Sequence, residues 1–187
     1  MLYDYPRYYD AAFSFRAIAG EAAVIDAALR RYSRIPVRTA LELGCGTAPH
    51  VGELTARGCR YLGLDINHSM LAYARERWSG LQPRPTFLHG DMTTFYLDHT
   101  VDFVFVMLGS LYAESPGELA SHFDSVARVL RPGGIYLLDG CVQFGNPLDY
   151  DGSTYVLERD GITVESHFTL RLLDAETDLY EETWTVT

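Results

Sequence analysis

Apolar and polar residues along this chain follow two alternating patterns, and the alternation predicts a parallel α/β sheet. Strands are predicted at 37–43, 61–65 and 101–108, and the last of these is an almost wholly apolar run, as is typical of a strand that is buried on both faces. Between them, apolar residues recur at three- and four-residue steps, as in amphipathic helices. Strands that alternate with helices form a doubly wound, mostly parallel sheet with right-handed crossovers. The predicted helices cover 21–34, 49–57 and 69–77, and further strands lie near Phe87 and Leu88 and at 135–139.

One more core helix is predicted to begin at Pro116, because proline is favoured in the first helical turn. Its apolar residues recur at three- and four-residue steps until Pro132-Gly133-Gly134 ends it. His122 is interpreted as an ordinary residue of the helix face, remote from the strand ends. The predicted apolar stripe of this helix consists of Leu119, Phe123, Val126 and Leu130.

The pattern changes after about residue 150, where apolar and polar residues alternate singly or the residues are β-branched. Asp160-Gly161 and the segment 174–178 are typical hairpin turns, so an antiparallel meander is predicted at the C-terminus. Its strands cover 155–158, 163–172 and 179–187. The chain therefore divides into an N-terminal lid or helical segment (1–34), a core (35–148) and an acidic antiparallel subdomain (149–187).

Charge and composition narrow the classes of protein that this chain can be. The formal charge is −10, and 149–187 contribute ten acidic residues against Arg159 and Arg171. An acidic surface repels phosphate backbones, which argues against nucleic acid as a partner. The apolar runs are far shorter than the ~20 residues that span a bilayer, and no signal peptide precedes them. A soluble, cytoplasmic protein without membrane contact is expected.

Two residue types exclude further chemistry. Three widely spaced cysteines without a CxxC pair predict neither a disulfide framework nor a metal site. All basic residues are arginines, so Schiff-base and lysine-base mechanisms are excluded.

The segment ALELGCGTAPHVGEL at 40–54 is a hydrophobic strand, a glycine turn and then a helix. Gly44 and Gly46 allow a tight turn and a close approach of the backbone to a ligand, because neither residue has a Cβ. The helix that follows presents free N–H groups at its start. Any strand-to-helix turn can use glycine, so this turn alone does not identify a ligand.

Acidic residues after the next two strands make the glycine turn more specific. Asp65 follows it by about twenty residues, where a carboxylate can accept both ribose hydroxyls of a nucleotide-like ligand. Asp65 could instead cap the next helix, but Asn67 or Ser69 can serve as that cap. Gly90-Asp91-Met92 follows the third strand, where a carboxylate can accept from an exocyclic amine. Since ligands bind at the carboxyl ends of parallel strands, these residues predict one adenosine site.

Five segments, in this order, resemble the motifs of the class I S-adenosylmethionine (SAM)-dependent methyltransferases over roughly 37–140. LELGCGT resembles the first motif and LGLDINHSML the second, and FLHGDM resembles the segment that contacts adenine. VDFVFVMLGSLY resembles the fourth motif, and VLRPGGIYLLD resembles the segment around the fifth strand. The resemblance implies a Rossmann-like methyltransferase core, SAM as cofactor and S-adenosylhomocysteine as its product.

The resemblance also implies roles for individual residues. Residues of the first motif would border the methionyl portion, Asp65 would bind the ribose, and Met70 would pack on the adenine opposite Met92. The cofactor contacts implied in this way are Glu42, Gly44, Cys45, Gly46, Asp65, Ile66, Met70, Asp91, Met92 and Leu108. The opening YYDAAFSFR resembles a subgroup of sugar and other small-molecule N-methyltransferases, in which an N-terminal tyrosine, here Tyr9, closes over the cofactor.

Two features depart from the family pattern. Ala48 stands where the family usually has glycine, which makes the turn less open. The family's sheet normally ends with another helix and two further strands, whereas this chain stops at Thr187. Either the meander replaces those strands or the sequence is a fragment of a longer protein; a fragment is expected, because one sheet edge would otherwise be exposed.

Methyl transfer from a sulfonium is an in-line displacement that depends mainly on the alignment of donor and acceptor. A base is needed only if the acceptor carries a proton, and the candidates are Tyr112 and Glu114. No [DN]PP[YF] follows the fourth strand, which disfavours adenine-N6 or glutamine methylation. The resemblance to the small-molecule subgroup implies a small-molecule acceptor, at N or O, and a homodimer is compatible with the sequence.

Two other functions stay open at this point. A non-catalytic module that binds SAM or adenosine would use the same residues. An NAD-dependent oxidoreductase would also use the turn and Asp65, but it prefers a third glycine where Pro49 stands.

Overall fold

The computed structural model describes residues 1–141, 152, 154–176 and 179–187 of the 187-residue chain. Two compact units are present. The larger unit begins at Ala17 and contains a five-stranded sheet, and the smaller unit joins Met1–Arg16 to the C-terminal strands. The sequence-based division placed the limits of the core at residues 34 and 148. The first limit differs from the boundary after Arg16, and the second lies outside the described residues. The segment 17–34 joins the larger unit because Ile25 packs into its core.

Helices and strands alternate along the larger unit as the apolar pattern predicts. A 3₁₀ turn at Leu2–Asp4 and helix α1 (Pro6–Ala12) come first and belong to the smaller unit. The elements that follow are α2 (Ile18–Tyr32), β1 (Thr39–Leu43), α3 (Val51–Ala56), β2 (Arg60–Asp65), α4 (His68–Arg77), β3 (Thr86–His89), β4 (Val101–Val106), α5 (Pro116–Val129) and β5 (Leu130–Leu138). None of the helices in the described ranges has both the length and the apolar character that a membrane span requires.

The five strands of the larger unit are all parallel and lie in the order β3-β2-β1-β4-β5. The chain moves outward from β1 through β2 to β3, then returns to place β4 on the other side of β1. The strand order therefore reverses between β1 and β4, and a crevice forms at such a switch point, at the carboxyl ends of the strands. The predicted doubly wound fold is confirmed.

Both faces of the central strands β1, β2 and β4 are buried, because these strands contribute alternate side chains to two apolar clusters. On β4, Phe103 and Phe105 face α2, α3 and α4, whereas Val104 and Val106 face α5. All six residues of β4 are buried, as a central parallel strand requires.

Helix α5 begins at Pro116 as predicted, and Val126 and Leu130 of the predicted stripe pack in the core, but the other two residues of the stripe do not. Leu119 and Phe123 are 37% and 44% exposed, so they do not form the core stripe. Polar side chains of α5 instead face inward and bind carbonyls of the loop after β3. The buried residues of α5 are His122, Ser125, Val126 and Val129.

The smaller unit contains the predicted antiparallel meander. Its strands, in the spatial order β6-β7-β8, are β6 (Thr154–Arg159), β7 (Ile162–Asp174) and β8 (Leu179–Val186). Asp160 and Gly161 both have positive φ and join β6 to β7. Residues 177 and 178 of the second predicted turn lie outside the described residues. Within this unit Ala11 and Ala12 of α1 pack against Val164.

Candidate functional site

The turn after β1 has a left-handed backbone at three positions. Gly44, Gly46 and Ala48 have φ values of 66°, 53° and 55°. A Cβ on Gly44 would lie 2.9 Å from Cε of Met92, so glycine also permits the close approach of the loop after β3. At Gly44 both the backbone conformation and the limited space favour glycine, whereas at Gly46 only the left-handed backbone does, since a Cβ there would have no neighbour within 4 Å.

Ala48 adopts the conformation that glycine favours, and this suggests a stability test. The left-handed backbone costs alanine roughly 1 kcal/mol, whereas removal of its buried methyl forfeits about 0.8 kcal/mol. We expect Ala48→Gly to change the free energy of unfolding by less than about 1 kcal/mol in urea titrations. Ala40→Gly on β1 is the matched control, since Ala40 is equally buried but outside the left-handed region. The control should lose about 1–2 kcal/mol; an equal loss in both variants would contradict strain at Ala48.

Asp65 connects the end of β2 to the glycine turn. Its Oδ2 accepts a hydrogen bond from the Gly46 N–H at 2.7 Å, and its Oδ1 accepts one from the Asn67 N–H at 2.8 Å. Burial raises the pKa of Asp65, and these backbone hydrogen bonds partly oppose the increase. The Asn67 side chain caps α4 by accepting from the Met70 N–H. Asp65 is thus not the helix cap.

The loop after β3 is shaped by Asp91. Its Oδ1 accepts from both the backbone N–H and the hydroxyl of Thr93, at 2.7 and 2.8 Å. These bonds close a tight turn that leaves Asp91 exposed and buries Thr93.

A cavity of about 310 Å³ lies where the turn, Asp65 and this loop meet. That volume is at the lower end of the range for small-molecule sites, roughly 300–1,000 Å³. It is formed at the carboxyl ends of β1, β2 and β3 and by the segment after β4, at the switch point of the sheet. Its lining consists of Gly44, Leu64, Asp65, Ile66, Gly90, Asp91, Met92, Thr93, Tyr112, Glu114 and Glu118.

The ionisable lining of the cavity is acidic. Of the described residues that line it, Asp65, Asp91, Glu114 and Glu118 carry carboxylates, and none is a lysine, arginine or histidine. The Tyr112 hydroxyl donates to Glu114 Oε1 at 3.0 Å, and this bond and the charge of Glu114 raise the pKa of Tyr112. Tyr112 is therefore a hydrogen-bond donor at neutral pH, and Glu114 is the proton acceptor of the pair.

Glu42 is held by buried side chains, and its contact with the methionyl portion of a cofactor stays a prediction. It does not line the cavity; its Oε1 lies 2.8 Å from His50 Nδ1, and Tyr61 donates its hydroxyl to Oε2. His50 is fully buried, and its Nε2 lies 2.9 Å from Glu21 Oε2 on α2. Because carboxylates only accept, this chain of groups must hold a proton beyond the single one of a neutral imidazole. The network ties α2, β1 and β2 together beneath the turn.

The remaining predicted contacts are spread over several environments. Ile66 lines the cavity and is 65% exposed. Cys45 and Met70 are buried and are absent from the lining, and burial raises the pKa of the Cys45 thiol well above its ordinary value. Leu108 has a positive φ, and its N–H donates to Asp139 Oδ2 at 3.0 Å. Their contact with a cofactor stays a prediction.

Tyr9 belongs to the smaller unit, where its ring stacks on Phe13 with centroids 4.4 Å apart. Its closure over a cofactor also stays a prediction.

Three lining residues, Leu64, Thr93 and Glu118, were absent from the sequence-based prediction. Glu118 could have been found, because Ser115-Pro116-Gly117-Glu118 has the capping-box spacing that places a glutamate in the first turn of a helix. The Ser115 side chain does accept from the Glu118 N–H at 3.2 Å. Thr93 could have been found only as the partner of Asp91 in a tight turn.

Similarity to known proteins covers the part of the chain that forms the cavity. Residues 40–134 match the family described as methyltransferase domain. A dTDP-3-amino-3,4,6-trideoxy-alpha-D-glucopyranose N,N-dimethyltransferase of Streptomyces venezuelae is 32% identical over 148 residues, which are 78% of this chain and 60% of that protein. The chain spans 45–60% of the length of this and two other curated relatives.

Solved structures share the fold. The crystal structure of Streptomyces venezuelae DesVI superposes with a TM-score of 0.75 at 24% identity, over 98% of this chain and 80% of that one. SAM-bound CalS10, an amino pentose methyltransferase from Micromonospora echinaspora involved in calicheamicin biosynthesis, gives a TM-score of 0.73 at 24% identity, over 96% and 80% of the two chains.

Proposed function

The chain belongs to the class I SAM-dependent methyltransferases, and on this premise we propose that it transfers a methyl group from SAM to an amine nitrogen of a small molecule. The observation that carries the proposal is the cavity at the switch point, which joins Gly44, Asp65 and Asp91 to the acidic residues after β4. The proposal of an amine acceptor is based on the names of two curated relatives, which are N,N-dimethyltransferases of dTDP-linked amino sugars.

The residues present fit the chemistry of the cofactor. Gly44 lines the cavity, and because it lacks a Cβ its backbone is open to a ligand and Met92 can approach the turn closely. Asp65 would accept from the ribose hydroxyls with the lone pairs that Gly46 and Asn67 leave available. Asp91 would accept from the exocyclic amine, since only its Oδ1 is used by Thr93.

The acidic wall suits an amine acceptor. SAM, when bound, supplies a methyl group that its sulfonium already activates, so the chain needs mainly to align the acceptor. Glu114 and Glu118 attract a protonated amine, and Glu114 can take the proton that the nitrogen must lose before it attacks. Tyr112 holds the Glu114 carboxylate through its hydroxyl.

We predict that Glu114→Gln impairs methyl transfer to the acceptor but leaves cofactor binding almost unchanged. Methyl transfer to amino sugars should fall at least about tenfold, because the variant loses both the negative charge and the proton acceptor. The Kd of S-adenosylhomocysteine should change by less than about twofold, since the proposed cofactor contacts lie elsewhere in the cavity. Calorimetry measures the Kd, and a methyl-release assay with paired amino and hydroxy sugars measures transfer.

Asp26→Asn is the matched control, because Asp26 forms a surface ion pair with Arg30 on α2 and does not line the cavity. It should alter neither quantity. Methylation of hydroxy but not amino sugars would contradict the nitrogen acceptor. Binding of SAM with no transfer to any acceptor would favour a non-catalytic module, and binding of NAD instead of SAM would favour an oxidoreductase.

A further inference from the structure

Three polar side chains on the inner face of α5 bind the backbone of the loop after β3. His122 Nδ1 lies 2.8 Å from the Met92 carbonyl oxygen, and Ser121 Oγ donates to the Thr93 carbonyl oxygen at 2.7 Å. Ser125 Oγ approaches the same Thr93 oxygen at 3.5 Å. Two consecutive carbonyls of an irregular loop are thus satisfied by a helix that is about thirty residues away in sequence.

His122 occupies a defined state in this arrangement. A carbonyl oxygen only accepts, so Nδ1 carries the proton, and Nε2 accepts from the Tyr136 hydroxyl at 2.5 Å. Burial lowers the pKa of His122 and raises that of Tyr136, so both groups stay neutral near pH 7. A series of hydrogen bonds therefore connects Tyr136 on β5, through His122 on α5, to the Met92 carbonyl of the loop.

The loop held in this way forms one wall of the cavity. Met92 and Thr93 both line it, and Met92 Cε is the atom nearest to a Cβ built on Gly44. A shift of the Met92 backbone would move this side chain relative to the glycine turn and would also move Asp91, the preceding residue. Neither His122 nor Ser121 lines the cavity, so any influence on a ligand acts through the loop.

We infer that His122 is a positioning residue for cofactor binding, which fixes the Asp91–Thr93 loop through the Met92 carbonyl. The inference rests on the proposed function, because it takes the cavity to be the SAM site. An alternative is that His122 only stabilises the packing of α5 on the sheet, and the two explanations predict different binding behaviour.

The test compares four variants by calorimetry with S-adenosylhomocysteine, at a temperature at which each is folded. His122→Leu removes the donor and should raise the Kd about tenfold. His122→Asn retains an N–H donor near the position of Nδ1 and should stay within about threefold of the wild type. Ser121 is half-buried, and Ser121→Ala removes only its hydrogen bond to the Thr93 carbonyl. This variant should fold readily and raise the Kd about threefold.

Val126→Ala is the matched control for packing. Val126 is buried on the same helix, and no hydrogen bond links it to the loop through its side chain. It should lower the melting temperature while leaving the Kd unchanged.

The possible results separate the inference from the function on which it rests. If the wild type does not bind S-adenosylhomocysteine, the proposed function fails and the inference fails with it. If the wild type binds S-adenosylhomocysteine, and His122→Leu and Ser121→Ala both bind it as tightly as the wild type does, only the inference is overturned. An equal loss of affinity in Val126→Ala would also overturn it, because packing alone would then explain the effect. Rescue by His122→Asn with an unchanged control supports it.

Discussion

Asp65→Ala is expected to raise the Kd of S-adenosylhomocysteine at least about tenfold without unfolding the protein. The carboxylate combines two tasks: it faces the cavity, and it holds the Gly46 N–H of the glycine turn. Its removal therefore eliminates the proposed acceptor for the ribose hydroxyls and releases the turn that borders them. Charge-assisted hydrogen bonds of this kind each contribute about 1.5–3 kcal/mol, which is enough for the predicted loss of affinity.

The fold should survive because the Asp65 carboxylate is itself costly to bury. Burial raises its pKa, so the ionised group is destabilised in the folded state relative to water. Alanine removes that penalty together with the hydrogen bonds to Gly46 and Asn67, and the two effects partly cancel.

Asp65→Asn is the matched variant, since it keeps the shape and one oxygen of the side chain. We expect a smaller rise in Kd than for alanine, because one acceptor remains. Circular dichroism verifies that each variant is folded, and calorimetry measures the Kd. Unchanged affinity in folded Asp65→Ala would remove Asp65 from the cofactor site.

Asp102→Ala is expected to reduce the free energy of unfolding by about 3 kcal/mol. Asp102 is the acidic residue on the otherwise apolar strand β4, and it is 2% exposed. Its Oδ2 accepts from the Arg38 and Thr39 N–H groups and from the Thr39 hydroxyl, at 2.9, 3.0 and 2.9 Å. Alanine leaves these donors without an acceptor at the start of β1.

Arg131→Ala separates the ion pair from the hydrogen bonds. Arg131 Nη1 lies 2.8 Å from Asp102 Oδ1, but the arginine side chain is 53% exposed. A pair that is half open to solvent contributes below about 1 kcal/mol, so this variant should be much milder than Asp102→Ala. Urea unfolding at neutral pH measures both variants. Equal losses of the free energy of unfolding would show that the ion pair, rather than the contacts with the β1 backbone, accounts for the stabilising effect of Asp102.

The Asp102 contribution should depend on pH in a defined direction. Burial by itself raises the pKa of Asp102, but the hydrogen bonds from Arg38 and Thr39 more than offset it, and the folded-state pKa is lowered from 3.8. The stabilisation is therefore complete above about pH 4, and it is lost as the pH falls through the folded-state pKa. The difference between wild type and Asp102→Ala should narrow as the pH is lowered from 7 towards 3. A constant difference would contradict the lowered pKa.

The sequence predicted more of the backbone than of the side-chain contacts. Helix and strand order followed from the apolar pattern, and the cavity forms where Gly44, Asp65 and Asp91 were predicted to meet. The prediction for the buried face of α5 was confirmed at Val126 but wrong at Leu119 and Phe123, because a period of 3.6 residues equally allows His122 and Ser125 to face inward. Nothing local indicated that the loop after β3 would supply carbonyls for those polar groups.

The sequence by itself determined the properties that depend on neighbours along the chain. Strand burial, the glycine turn and the Ser115 cap each follow from a few adjacent residues and their allowed dihedral angles.

Only the tertiary structure decided which distant groups share a proton or a hydrogen bond. His122 and Met92, and Asp102 and Thr39, are 30 and 63 residues apart and meet because β4 lies beside β1 and α5 packs over the loop. A buried polar group must find a partner wherever the fold brings one, so its role depends on strand order rather than on its position in the sequence.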